Sequence, residues 1–143
     1  MQTQPRLKVK LFEGWRPVEN PRTLATYVRG DTSNSGSLQF SLAQYQRGIL
    51  SSVTEDTLLG LCQKLAGSVR GRRDVSSGSG KCEFGLFGTV TAKGDSPAHF
   101  QVWVISNGRE FILITHTCAK EPDPQEVAEA NEIALMTGLT RLE

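Results

Sequence analysis

The segment from His99 to Cys118, HFQVWVISNGREFILITHTC, is the part of the sequence that most restricts the fold. It consists of two apolar arms around Asn107-Gly108, and Asn-Gly strongly favours a β-hairpin because a type I′ turn requires positive φ at both central residues. A two-residue loop at this point predicts that His99 faces His116 directly across the strands. The chain therefore contains at least one antiparallel strand pair.

This register separates the side chains of the hairpin into two faces, because directly opposed residues lie on the same side of a sheet. The more apolar face, which we expect to form the core, consists of Phe100, Val102, Val104, Phe111, Leu113 and Thr115. The opposite, mixed face consists of His99, Gln101, Trp103, Ile105, Glu110, Ile112, Ile114, His116 and Cys118. A mixed patch of this kind is either covered by the same chain or available to a partner.

We interpret the mixed face as an exposed binding surface centred on Trp103, because tryptophan combines a large apolar area with a donor that tolerates a wet edge. The other candidate binding residues are Ile105, Ile112, Ile114, His99 and His116. The expected partner is a protein, which could be a second copy of the chain in a homodimer. Two other parts of the chain could instead cover this face: the N-terminal segment around Phe12 and Trp15, or a helix.

The two histidines raise the question of a metal site. Opposed residues have β-carbons roughly 4.5–5.5 Å apart, close enough for His99 and His116 to share an ion, and Cys118 follows on the same side. Zinc usually needs three or four protein ligands, and no acidic residue nearby in the sequence completes the set. We therefore assign no metal ligands and no cofactor. A small-ligand or metal-binding protein centred on His99 and His116 is the alternative function; a pH-sensitive pair and ordinary sheet-edge histidines also remain open.

The rest of the chain alternates between strand and helix patterns. TLATYVRG (23–30) and GSLQFSLAQYQ (36–46) have strand composition and should pair, since the DTSNSG segment between them is typical of a turn. Ser52 and Glu55 have the spacing of a capping box before an amphipathic helix at about 54–69. Asp123-Pro124 marks the start of a second helix at about 124–137.

Glycines mark two further features. The segment from Gly71 through the SSGSG run predicts a flexible surface connection, because its polar backbone could not be buried without unpaired groups. KCEFGLFGTVTAKG (81–94) then resumes strand character. Its glycines, Gly85 and Gly88, indicate a bulge, a bend or the close approach of another element.

Strands interrupted by two helices predict a single α+β domain over residues 1–143. We expect a mostly antiparallel sheet with two main helices packed on one face, in the order strands, helix, three strands, C-terminal helix. The other face of the sheet would then be left to solvent or to a partner.

Composition argues against several classes of partner. Lysine and arginine number 16 against 15 acidic residues, so nothing in the overall charge favours nucleic acid. No apolar run is long enough for a membrane span, and the N-terminus lacks the apolar core of a secretion signal. Three cysteines at irregular spacing fit neither paired disulfides nor a metal knuckle. These features predict a cytoplasmic protein with reduced thiols.

The sequence contains no catalytic signature. The GxSxG, HExxH and phosphate-loop motifs are absent, and Cys118 near His116 lacks the third, orienting group that a nucleophile needs. Arg70, Arg72 and Arg73 form a weak anion-binding candidate, although cations at a helix end also complement its dipole. We expect a protein that is not an enzyme.

Several segments resemble the PsbP-like and DcrB-like superfamily over almost the whole chain. These are Gly14-Trp15, GSLQFSLAQYQ, EDTLLGLCQKLAG and FILITHTCAKEP, with the sharpest likeness between Gly108 and Ala119. The resemblance implies a compact α+β sandwich used mainly as a binding or adaptor module. Cytoplasmic relatives include chaperone-like and immunity-type proteins associated with bacterial secretion systems. The resemblance carries over no catalytic residue, since the superfamily has no common catalytic motif.

Overall fold

The computed structural model describes residues 5–30, 36–44 and 53–141. Its elements are β1 (Pro5–Lys8), β2 (Trp15–Pro17), β3 (Ala25–Arg29), β4 (Ser37–Gln44), α1 (Glu55–Ala66), β5 (Arg73–Cys82), β6 (Gly85–Lys93), β7 (His99–Ser106), β8 (Glu110–Cys118), α2 (Pro124–Leu135) and β9 (Gly138–Arg141). Seven strands form an antiparallel sheet in the order β2-β3-β4-β8-β7-β6-β5, and β1 pairs with β9 in a separate two-stranded sheet. The predicted α+β class, the pairing of β3 with β4 and the largely antiparallel sheet are confirmed.

The predicted hairpin is present, but its register is shifted by two residues. Ser106 pairs with Phe111, so four residues lie between the last two paired residues instead of the predicted two. The Asn107 side-chain oxygen accepts hydrogen bonds from the backbone N–H groups of Arg109 and Glu110, which favours the wider loop. Because the shift is an even number, every hairpin residue keeps its predicted face.

The expectation that both helices pack on one face of the sheet is wrong. Leu58, Cys62 and Ala66 of α1 pack against Val102 and other residues on the predicted core face. Helix α2 packs on the opposite, mixed face. The reason is that β7 is apolar on both sides, so one uncovered face would expose a large apolar area to water.

Helix α1 approaches the sheet most closely at Gly88. Cys62 donates a hydrogen bond from Sγ to the carbonyl oxygen of Gly88 over 3.1 Å. A β-carbon on Gly88 would lie 2.5 Å from the backbone nitrogen of Leu59. The close approach of another element, one of the predicted explanations of this glycine, is therefore the one that the fold uses.

The predicted flexible connection after Gly71 is instead the edge strand β5. It pairs with β6 along its length, with one bulge between Asp74 and Ser76. Most of its side chains are exposed, so backbone hydrogen bonds define this strand more than burial does. Hydrophobic periodicity therefore cannot predict a strand of this kind.

The helix ends differ slightly from their prediction. Thr54 caps α1 and forms a capping box with Thr57, while Ser52 lies outside the described residues. Asp123 caps α2 and Pro124 follows at its start, as predicted. Strand β9 was not predicted, because its four residues, Gly138–Arg141, have no strand pattern of their own.

Candidate functional site

Trp103 and its apolar neighbours lie beneath helix α2. The residues of this cluster, all 0% exposed, are Trp103, Ile105, Ile112 and Ile114. Trp103 donates a hydrogen bond from Nε1 to the Asn131 side-chain oxygen of α2 over 3.0 Å. The prediction of an exposed sheet face is therefore wrong, because Ala130, Ile133 and Ala134 of α2 lie in the same buried cluster as Trp103 and help to cover it. Trp15 and Phe12 complete the cover, which was the alternative explanation.

Next to this core lies a buried polar cluster made of His116, Cys118 and Glu126. His116 Nε2 is 2.7 Å from Glu126 Oε2, and Cys118 Sγ is 3.5 Å from His116 Nε2 and 3.8 Å from Glu126 Oε2. All three residues are buried. These three residues are of types that could together hold a metal ion, and the third member comes from α2.

The local sequence explains how this cluster assembles. His116 and Cys118 are separated by one residue in β8, so both side chains point toward α2. Glu126 lies in the first turn of α2, and its Oε2 accepts a hydrogen bond from the backbone N–H of Gly36 over 2.9 Å. A β-carbon on Gly36 would be 2.3 Å from Cys118 Sγ, so only glycine lets the backbone approach the cluster this closely.

Burial controls the protonation of the cluster. It raises the pKa of Cys118 to about 12, and the negative charge of Glu126 adds to the increase. Burial also acts to raise the pKa of Glu126, but hydrogen bonds from His116 and Gly36 outweigh it and hold that pKa below its ordinary value. Near neutral pH, Cys118 is therefore a thiol and Glu126 a carboxylate.

His99 lies beside the cluster, diagonally across the strands from His116. Its Cα partner is Cys118, and the two imidazole centroids are 5.3 Å apart. Burial, then the charges of His116 and Lys93, lower the pKa of His99 to about 4, so its ring is neutral near pH 7. His99 Nε2 and His116 Nδ1 are buried without a hydrogen-bond partner among the described residues.

A solvent-accessible cleft of about 490 Å³ opens beside His99, between α2 and strands β5 to β7. Thr91, Gln101 and His99 supply its buried polar floor. Val127 of α2 and Val75 of β5, which is 54% exposed, are apolar lining residues. The cleft thus combines polar groups that can orient a ligand with apolar contacts.

A second, more polar cleft of about 390 Å³ adjoins the first one. Lys93 and Glu121 form an ion pair and line both clefts. Arg73 lines the second cleft, whereas Arg72 pairs with Asp74 and donates to a backbone carbonyl of α1.

The predicted anion site is therefore only partly assembled. Arg70 is exposed and joins Ser96 through an isolated backbone bridge. Arg73 is the member of the arginine set that lines a cleft, and Arg72 is already held by a carboxylate. Anion binding by these residues stays a prediction.

Glu126 is the site residue that sequence reasoning missed. The sequence predicts only that it lies within the second helix, eight residues beyond Cys118. The available signal was the short link between β8 and α2, which makes the helix fold back over the strand that carries His116. The floor residue Thr91 gave no signal beyond ordinary strand composition.

The seven-stranded antiparallel sheet, with one helix on each face, defines a small α+β domain with a PsbP-like fold, as the resemblance implied. The structure is similar to the crystal structure of LpqN, involved in cell envelope biogenesis of Mycobacterium tuberculosis, with a TM-score of 0.66 and 14% identity over 96% of this chain and 85% of LpqN. It is also similar to the solution structure of the cyanobacterial PsbP (CyanoP) of Synechocystis sp. PCC 6803, with a TM-score of 0.59 and 11% identity over 94% of this chain and 93% of CyanoP. These similarities establish the fold alone.

At the level of sequence, neither a protein family nor a curated protein matches the chain. Within the described residues, neither helix has the length and apolar character that crossing a membrane would require.

Proposed function

We propose that the protein is a noncatalytic binding module, adaptor or chaperone-like, that holds a segment of a partner protein in the cleft beside α2. The observation that carries this proposal is the cleft itself. Its volume of about 490 Å³ lies within the range of roughly 300–1,000 Å³ that is usual for ligand sites. Its buried polar floor and apolar lining have the composition that such sites share.

The neighbouring edge strand favours an extended protein segment as the occupant. Strand β5 is at the end of the seven-stranded sheet and has no strand partner on its outer side among the described residues. A free edge offers unpaired backbone groups to another chain, and alternate side chains of an added strand can then enter adjacent pockets. Val75 and Ser76 of β5 line the cleft, so edge and cleft form one continuous surface.

Two further parts of the proposal concern the partner and the location. A second copy of the chain is an allowed occupant, since β5 edges could pair in a homodimer.

A reducing location such as the cytoplasm agrees with free thiols at Cys62, Cys82 and Cys118. LpqN is described by its involvement in cell envelope biogenesis, which is compatible with a binding role.

Peptide display tests this function directly. Extended peptides selected on the wild type should bind Val75→Asp and Val127→Asp at least about tenfold more weakly, a loss of about 1.4 kcal/mol. Leu61→Asp is the matched control, because Leu61 is 38% exposed and belongs to α1, which packs on the other face of the sheet and does not line the cleft. Circular dichroism confirms that each variant is folded.

A specific result would contradict the proposed binding surface. Peptides that bind both cleft variants as well as they bind the wild type would place the binding surface elsewhere. Sedimentation of the wild type at increasing concentration separates the two occupants, since a homodimer that Val75→Asp dissociates would identify a second copy as the partner.

A further inference from the structure

We propose that His116, Cys118 and Glu126 form a buried zinc site that pins α2 to the sheet. The ligand atoms are His116 Nε2, Cys118 Sγ and one Glu126 carboxylate oxygen, which all lie within 4.8 Å of one another. This site adjoins the cleft at His99, but its three ligands do not line the cleft and it does not depend on the binding function. Imidazole nitrogen, thiolate sulfur and carboxylate oxygen are the three ligand types that zinc accepts in proteins.

The distances between the ligand atoms are close to those of a tetrahedral zinc shell. Zn–S bonds of about 2.3 Å and Zn–N or Zn–O bonds of about 2.0–2.2 Å place neighbouring ligand atoms roughly 3.3–3.6 Å apart. Cys118 Sγ lies 3.5 Å from His116 Nε2 and 3.8 Å from Glu126 Oε2. Only the 2.7 Å contact between His116 and Glu126 must open, by about 0.6–0.8 Å, to admit the ion.

The charges also suit a buried ion. A thiolate, a carboxylate and a neutral imidazole carry two negative charges together, which a divalent cation neutralises. The buried group then has no net charge, whereas an isolated buried charge is strongly unfavourable. Cys118 binds as the thiolate and releases its proton to solvent. His116 Nε2 gives up the proton that it shares with Glu126, so that the neutral ring carries its proton on Nδ1 and Nε2 is free to bind the ion. The backbone N–H of Gly36 holds Glu126 in place.

His99 provides a second observation that points to a ligand. Lys93 Nζ lies 3.0 Å from His99 Nδ1, so a protonated lysine donates to Nδ1 and the ring proton resides on Nε2. This Nε2 donor has no acceptor among the described residues. Because His99 is only 1% exposed, bulk solvent cannot supply one either. A water molecule in the fourth zinc position would supply the missing acceptor.

Cobalt spectroscopy tests the site with the metal alone. The full chain, stripped with a chelator and titrated with Co²⁺, should bind one equivalent and show both tetrahedral visible bands and a thiolate-to-cobalt charge-transfer band. Zn²⁺ should displace the cobalt and raise the unfolding temperature. Cys118→Ser should lose the charge-transfer band, and Cys82→Ser, which removes a half-buried thiol elsewhere, should keep it.

X-ray absorption keeps the test independent of variant folding, because it uses the wild type, and a conservative variant provides a further measurement. X-ray absorption of the zinc-loaded wild type should show one sulfur at about 2.3 Å and nitrogen or oxygen near 2.0–2.2 Å. Glu126→Gln should weaken zinc binding by more than the roughly 10–100-fold that loss of an outer partner costs. A wild type without the charge-transfer band, a zinc shell without sulfur, or an unchanged affinity of Glu126→Gln would overturn the proposal.

Discussion

His116 Nε2 and Glu126 Oε2 lie 2.7 Å apart, and this buried contact joins β8 to the first turn of α2. The same carboxylate accepts the backbone N–H of Gly36, so three segments that are distant in sequence meet at one side chain. Helix α2 also covers Trp103. The contact between His116 and Glu126 therefore helps to fix the helix that closes one side of the core.

Glu126→Ala should destabilise the metal-free protein by about 3 kcal/mol, because it leaves His116 and the Gly36 N–H buried without their partner. Urea unfolding in the presence of a chelator measures this loss. Glu132→Ala, an exposed position on the same helix, should change the stability by no more than about 0.5 kcal/mol. Equal effects of the two substitutions would mean that the buried contact contributes nothing.

Trp103 should be inaccessible to iodide in the folded protein, since its side chain is fully buried beneath α2 and the N-terminal segment. Fluorescence of the Trp15→Phe variant isolates Trp103, because these two are the only tryptophans in the sequence. The native variant should resist quenching at every protein concentration. Quenching is expected only after denaturant unfolds the chain. If iodide quenched the native variant strongly, α2 could not lie over the mixed face.

Gly88→Ala should destabilise the protein by about 1–3 kcal/mol, because the added β-carbon would overlap the backbone of α1 at Leu59. Gly60→Ala is the matched control within α1, where a β-carbon meets nothing within 4 Å. It should stabilise the protein by roughly 0.5–1 kcal/mol through helix propensity. Thermal unfolding of both variants measures these opposite changes, and a neutral Gly88→Ala would argue against close packing of α1 on β6.

Glu129 should contribute a pH-dependent part of the stability. Burial acts to raise its pKa, but hydrogen bonds from Trp15 and Gln125 and the charge of Arg29 outweigh it, so the folded pKa lies below the ordinary 4.5. A lowered folded pKa gives stability that is complete above the unfolded pKa and is lost as the pH falls through the folded one. The contribution is therefore present at pH 7 and absent in strong acid.

Glu129→Gln tests this dependence by mimicking the protonated side chain. The variant should be less stable than the wild type by roughly 1–2 kcal/mol at neutral pH, and the difference should shrink as the pH falls from about 5 to about 3. Urea unfolding at stepped pH provides the measurement, with Glu132→Gln as the control for the lost charge on α2. A difference that stayed constant over this range would show that the carboxylate charge is not involved.

Local patterns predicted those elements whose signal lies within a few residues. In β4, Leu38 and Phe40 alternate with Gln39 and Ser41, a pattern that places both apolar residues on one face, and both are buried in the same cluster. Asp123 and Pro124 located the start of α2 because capping depends on adjacent backbone groups. Strand β5 escaped prediction because its polar side chains carry no hydrophobic period.

The sequence by itself determined that the hairpin has two opposite faces and which residues lie on each, because side-chain direction follows from strand periodicity and survives an even shift in register. Only the tertiary structure decided that α2 covers the face of Trp103 and brings Glu126 to His116. The physical reason is that covering a face depends on the packing of segments distant in the chain. The face of the sheet on which a helix packs depends on all its contacts with these distant segments, and no local sequence signal specifies it.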